Sequence, residues 1–130
     1  MPRPDRKRFS VRNETRGTTV APRAQLASSL VTRLVGLMFR RSLEPGAGLY
    51  FPGTSSIHSF CMRFRFDAIF LDADGRVVKI VPAMRPWRVA FGGRGAKDTL
   101  ELPAGVAASS GTEPGDQFAY GEPEAGQASG

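Results

Sequence analysis

Apolar and polar positions alternate along most of this chain, and the densest pattern lies between residues 58 and 72. Phe60, Met62, Phe64, Phe66, Ala68 and Phe70 share one parity, so in an extended chain they line one face. Ser59, Arg63 and Arg65 line the other face, which turns apolar at Ile69 and Leu71. A strand apolar on both sides must be covered on both sides, so the chain passes here into a sheet interior. An unbroken strand of this length would be unusual, and a break is predicted near residues 63–67. Asp72-Ala73-Asp74-Gly75 is hairpin chemistry, joining this segment to a strand at residues 77–81.

The period changes to a helical one only once. Leu30, Val31, Leu34, Val35, Leu37 and Met38 recur at helical spacing, with Ser28 or Ser29 as N-cap and Arg40 and Arg41 near the C-terminal end. Gly36 interrupts that pattern at a cost of about 1 kcal/mol against alanine, which favours close packing or an early end. Residues 18–21, 48–51, 99–102 and 117–120 read as further strands. Residues 82–98 read as a long loop containing a short strand, and Pro103-Ala104-Gly105 as the start of a helical turn ending at Gly111. Short strands, frequent Gly and Pro and one early short helix predict a mainly β fold with minor α content, a small compact sandwich or barrel.

At 130 residues the chain fits one domain. The sequence divides into a disordered basic arm over residues 1–17, a single β-rich domain over 18–120 and a flexible acidic tail over 121–130. No apolar run approaches the roughly 20 residues of a membrane helix, so no membrane partner is expected. The N-terminus is basic but has no apolar signal core. The single cysteine, Cys61, cannot form an intrachain disulfide, and a cytoplasmic location is expected. Net charge is +6, unevenly spread: residues 1–17 carry six basic and two acidic side chains, residues 63–97 eight and three, and residues 113–130 four acids and no base. Such a field attracts anionic ligands or nucleic acid, although a solvated basic surface explains it more simply.

Several ordered motifs carry a resemblance. Gly36-Leu37-Met38-Phe39-Arg40, His58-Ser59-Phe60-Cys61-Met62-Arg63-Phe64 with Asp67 to Asp72, Leu100-Glu101-Leu102-Pro103-Ala104-Gly105 and Gly115-Asp116 are similar to the motifs of the domain of unknown function 192 family. The resemblance covers about residues 18–120 and implies a compact β-rich fold with no agreed activity. The chain departs from the pattern at Cys61, where many relatives have an aromatic residue, and at Arg65, where many have proline.

Candidate chemistry centres on His58, the only histidine and the only side chain suited by its ordinary pKa to proton transfer near neutrality. It shares parity with the Phe stripe, at the mouth of the expected core. Asp67 is its candidate partner across the expected break; the simpler reading is a histidine satisfied by backbone and an aspartate capping a turn. Glu101 lies between Leu100 and Leu102, where alternation predicts exposure; if buried it needs a cation, and Arg40 or Arg63 are the candidates. A ligand site would then comprise His58, Met62, Arg63, Asp67, Glu101 and Arg40. No metal site is expected, because His58 and Cys61 point to opposite faces of a strand and no second His or Cys exists. Asp72 to Gly75 lacks the closing glutamate of a calcium loop. No cofactor is expected, since glycines 92–95 lack the Lys-Ser/Thr of a phosphate loop. Arg85, Trp87, Arg88, Phe91, Arg94 and Lys97 could stack on and neutralise a nucleic acid, against the simpler reading of a basic loop with Trp87 tucked into the core.

Three functions follow. The first is a binding or accessory domain taking a polar or anionic small ligand near His58 and Asp67. The second is a hydrolase with His58 as general acid or base, and the third a basic nucleic-acid-associated protein.

Overall fold

The computed structural model describes residues 3–26, 43–59 and 64–125. The helix predicted from Leu30 to Met38 lies outside these residues, as do Phe60, Cys61, Met62, Arg63 and Arg40. Among the described residues the order is β1 (Arg8–Asn13), β2 (Thr18–Leu26), β3 (Ala47–Phe51), β4 (Ser56–His58), β5 (Phe66–Leu71), β6 (Val77–Met84), β7 (Val89–Phe91), β8 (Asp98–Pro103), α1 (Val106–Ser109) and β9 (Phe118–Gly121). The mainly β expectation therefore holds.

Seven strands form one sheet in the order β6-β5-β8-β3-β2-β1-β9, and β4 pairs with β7 in a separate two-stranded ribbon. The sheet curls into a half-barrel. Its two edge strands meet at one end, where Arg76 bridges Gln117 and the Val77 and Phe118 N–H groups donate to Asp116 and Gly75 carbonyls. The rest of the curl stays open.

The two faces of β5 explain its sequence. Ile69 and Leu71 pack with Leu100, Leu102, Tyr50, Phe9, Val11 and Phe118 in one cluster. Phe66, Ala68 and Phe70 pack with Phe51, Phe64 and Met84 in a second cluster, together with Ile57 of β4 and Ala90 of β7. The ribbon is thus the cover over the Phe face. The hairpin at residues 72–75 forms as its sequence predicts: Gly75 N–H donates to the Asp72 carbonyl, and the Asp72 carboxylate accepts from Asp74 and Arg76 N–H.

The basic N-terminal segment differs from its expectation as a disordered arm. Phe9 and Val11 looked isolated among charges, yet both point into the core, and β1 is held between β2 and β9. Two inward side chains suffice when both edges of a strand are paired, because the backbone ladder supplies the rest. At the other end, Tyr120 packs against Phe9 and Tyr50 in edge-to-face contacts, so the sheet runs through Gly121.

One glycine fixes how the ribbon joins the sheet. Gly92 follows β7 and donates its N–H to Ser55, and a Cβ there would sit 2.5 Å from the Ala96 Cβ and 2.7 Å from the Phe70 ring. Gly92→Ala is therefore expected to lower stability by about 1–3 kcal/mol through overpacking. A thermal melt checks this, and an unchanged melting temperature would show that the ribbon can lift off Phe70 freely.

Candidate functional site

Asp67 is fully buried on β5. One carboxylate oxygen accepts from Ala83 N–H at 2.8 Å, and the other accepts from Gly105 N–H at 3.1 Å and Ala107 N–H at 2.8 Å. Each bond answers a local need. On β6 the pairing shifts so that Ala68 faces Val81 while Phe66 faces Met84, leaving an extra residue and a freed Ala83 N–H. Gly105, at φ 96, starts α1 without a capping side chain of its own. Asp67 supplies that cap from another strand, completing the donors that a helix start leaves unsatisfied. None of its bonds among the described residues reaches His58.

Register separates the remaining carboxylate. Asp67 pairs with Leu102, and Ala68 with Glu101, on adjacent strands. Cross-strand partners share a face, so Asp67 looks toward the cluster of Leu102, and Glu101 toward the cluster covered by the ribbon. Glu101 is buried, against the expectation from alternation. The reason is that β8 runs between β5 and β3 with both faces covered, so no parity is exposed. Its candidate partners Arg40 and Arg63, like Met62, lie outside the described residues.

His58 sits on the ribbon. Ile57 is buried, and His58, the next residue along, is half-buried and opposite Val89. The parity it shares with the Phe stripe does not carry over, because β4 and β5 belong to different sheets, with β4 ending at His58 and β5 starting at Phe66. On β7 the alternation is equally clear: Ala90 is buried, whereas Val89 and Phe91 are 49% and 65% exposed. Trp87 is 60% exposed, and its N–H donates to the Ser59 carbonyl. These three are the exposed large hydrophobic side chains among the described residues, two on β7 and one in the turn that leads into it. The expectation of a core Trp87 is thus overturned. The reversal has a backbone cause: Ser59, fully buried, accepts the Arg88 N–H on its hydroxyl and donates that hydroxyl to the Arg85 carbonyl. This clamp ties the turn down by its backbone, leaving Trp87 at φ 62, a conformation costly for a bulky residue.

The segment that carries β7 is one-signed in charge. Between Gly75 and Lys97 the chain holds six basic residues and no acid. Arg85, Arg88, Arg94 and Lys97 are exposed, and Lys79 donates to the Phe91 carbonyl at 2.9 Å.

Two further acidic centres are structural: Asp98, which nothing in the sequence marked, and Asp116, which stood in the closing motif without an assigned role. Asp98, fully buried, accepts from Arg3 Nε and Nη2 at 2.8 and 2.7 Å, from Gly53 N–H at 2.8 Å and from the Tyr50 hydroxyl. Burial pushes its carboxyl up, but those donors outweigh it and hold the group below the usual carboxylate range. Burial likewise drives the Tyr50 hydroxyl up. Asp116 accepts from Asn13, Arg16 and Glu113 N–H, and these bonds hold it low against its burial. Among the described residues no group of three His, Cys, Asp or Glu could hold a metal ion. A cavity of about 320 Å³ is lined by Arg8, Arg23, Glu44 and Glu124, a balanced charge set that favours neither sign of ligand.

The model of the DUF192 family, described as an uncharacterised ACR, matches residues 11–120. This chain belongs to the DUF192 family. Relatives include a UPF0127 protein of Thermococcus sibiricus, 34% identical over 110 residues, covering 82% of this chain and 71% of the relative. A UPF0127 protein of Pyrococcus horikoshii is 32% identical over 114 residues, covering 83% and 96%. Among solved structures, a proposed transcription regulator from Sinorhizobium meliloti superimposes with a TM-score of 0.71 at 26% identity, covering 87% of this chain and 92% of that one. A protein of unknown function from Novosphingobium aromaticivorans gives 0.71 at 27% identity, covering 86% and 83%.

The DUF192 relatives assign no function, so chemistry must come from the site. Two of the motif residues have physical explanations without any ligand: Asp67 as cap and bulge anchor, Gly105 as the left-handed residue that starts α1. His58 has a different setting, on an outward face among exposed rings. Among the described residues no helix is long and apolar enough to cross a membrane.

Proposed function

We propose that this DUF192 protein is a binding domain whose ligand face is the outward side of the β4–β7 ribbon around His58, taking an anionic ligand that carries a planar ring. The observation that carries the reading is the register pairing His58 with Val89, between exposed Trp87 and Phe91, on a segment with no acid from Gly75 to Lys97. Exposed aromatic rings bind planar groups by stacking, and unopposed arginines bind anionic oxygens through paired N–H donors. The hydrolase alternative has less support, because Asp67 caps backbone N–H groups on the face turned away from the ribbon that carries His58. A binding role also agrees with the regulatory role proposed for the Sinorhizobium relative. We place the protein in the cytoplasm on the strength of its lone cysteine.

Trp87 is the only tryptophan, so its fluorescence reports on this face directly. Titration with mononucleotides, sugar phosphates and aromatic carboxylates is expected to quench Trp87 for at least one ring-bearing anion. The same compound should raise the melting temperature, and His58→Ala should remove both effects. If no compound quenches Trp87, or if His58→Ala responds as the wild type does, the ligand face is elsewhere.

A further inference from the structure

Resting on the ligand face proposed above, we infer that its occupant is a single strand of nucleic acid, with bases stacked on Trp87 and Phe91 and phosphates held by the surrounding arginines. Trp87, in the turn before β7, and Phe91, at the end of β7, are two separate exposed rings rather than the walls of one enclosed pocket. The cations are spread along the same segment, with Arg85 and Arg88 beside Trp87, Arg94 and Lys97 after Phe91, and Lys79 donating to the Phe91 carbonyl. A ligand matching this face must repeat both a ring and a charge at intervals, which describes a nucleic acid strand.

The chemistry of the side chains points the same way. Base stacking on aromatic rings tolerates any sequence because every base has a π face, and it requires bases that are not already paired in a duplex. Three of the four flanking cations are arginines, whose planar guanidinium both chelates phosphate and stacks. His58, opposite Val89, adds a planar group on the face that carries Phe91. The turn at Trp87, at φ 62, presents a large ring that is 60% exposed. A bilayer surface would ask instead for a larger contiguous apolar face than the side chains of Trp87, Val89 and Phe91 provide.

The test is fluorescence anisotropy of a labelled oligothymidine of about 15 nucleotides, a length within the reach of one small binding face. A duplex of equal length, a mononucleotide and phosphatidylserine vesicles serve as comparisons. The strand is expected to bind at about 50 mM salt, with log affinity falling by about 0.7 per phosphate contact per decade of salt. Trp87→Ala/Phe91→Ala should weaken binding about tenfold or more while keeping the salt slope. Arg88→Gln/Arg94→Gln should reduce the slope by about 1.4. All four side chains are exposed, so the variants should melt like the wild type. No binding to the strand at low salt, equal binding by the aromatic variant, or preference for duplex would overturn the inference. So would vesicle binding that the same aromatic variant abolishes, if the strand does not compete for it. If the mononucleotide quenches Trp87 but the strand binds no more tightly, the inference fails and the small-ligand reading stands; if neither binds, both fail.

Discussion

Asp67→Ala is expected to destabilise the protein by about 3–6 kcal/mol, since each of three backbone N–H groups left without an acceptor costs about 1–2 kcal/mol when two of them are only partly buried. A domain of this size is stable by only about 5–15 kcal/mol, so the variant should unfold at low urea or fail to accumulate. Asp67→Asn separates the possible causes. Its amide oxygen can still accept from Gly105 and Ala107, but its NH2 then meets the Ala83 N–H, donor against donor. Stability should be recovered in part, with the remaining loss at the β6 bulge. Hydrogen exchange would show this as fast Ala83 and slow Ala107 amides. Because Asp67 looks away from the ribbon, folded Asp67→Asn should bind any ribbon ligand with wild-type affinity. An alanine variant that melts like the wild type would remove the capping account.

The second large effect concerns Asp98. Asp98→Ala should cost about 3 kcal/mol, because the buried Tyr50 hydroxyl and the Gly53 N–H lose their acceptor along with Arg3. Arg3→Ala should cost about 1–2 kcal/mol, at the low end because the guanidinium is half exposed. The pH dependence follows from the direction of the shift. In the folded state Asp98 titrates below its ordinary 3.8, so its contribution is complete above that value and is lost as pH falls toward the lower folded value. Protonation also removes the charge that Arg3 pairs with. The gap in melting temperature between wild type and Arg3→Ala is therefore expected to narrow as pH drops below about 4. A gap that stays constant to about pH 2 would mean that Arg3 acts through packing rather than charge. This bond also changes the standing of the N-terminal segment. Its basic character looked like a field for distant anions, whereas one of its arginines neutralises a carboxylate inside the fold.

Local signals were legible wherever a side chain's neighbours in sequence are also its neighbours in space. The Asp72 to Gly75 hairpin, the strands at β2, β3, β5, β6, β8 and β9 and the helical turn after Gly105 all follow from alternation and turn residues. The split of β5 into a Phe face and an Ile-Leu face, with cover on both, also came from parity alone. The strands that were missed, β1 and β4, carry few apolar residues, and β1 is set among charges. Phe9 and Val11, or Ile57 by itself, form a strand only because other strands offer them partners.

The candidate site divides in the same way. Composition and alternation by themselves determined a mainly β fold, a central strand buried on both faces, a lone histidine and a basic run holding Trp87 and Phe91. Only the tertiary structure decided which groups meet. Asp67 and Glu101 are on opposite faces because adjacent strands in register exchange face with every residue. His58 lies opposite Val89, on the strand that carries Phe91, because β4 and β7, about thirty residues apart, pair with each other and turn Ile57 and Ala90 inward. Pairing across such distances depends on the packing of the whole sheet, a free energy summed over many long-range contacts that no local window of sequence contains.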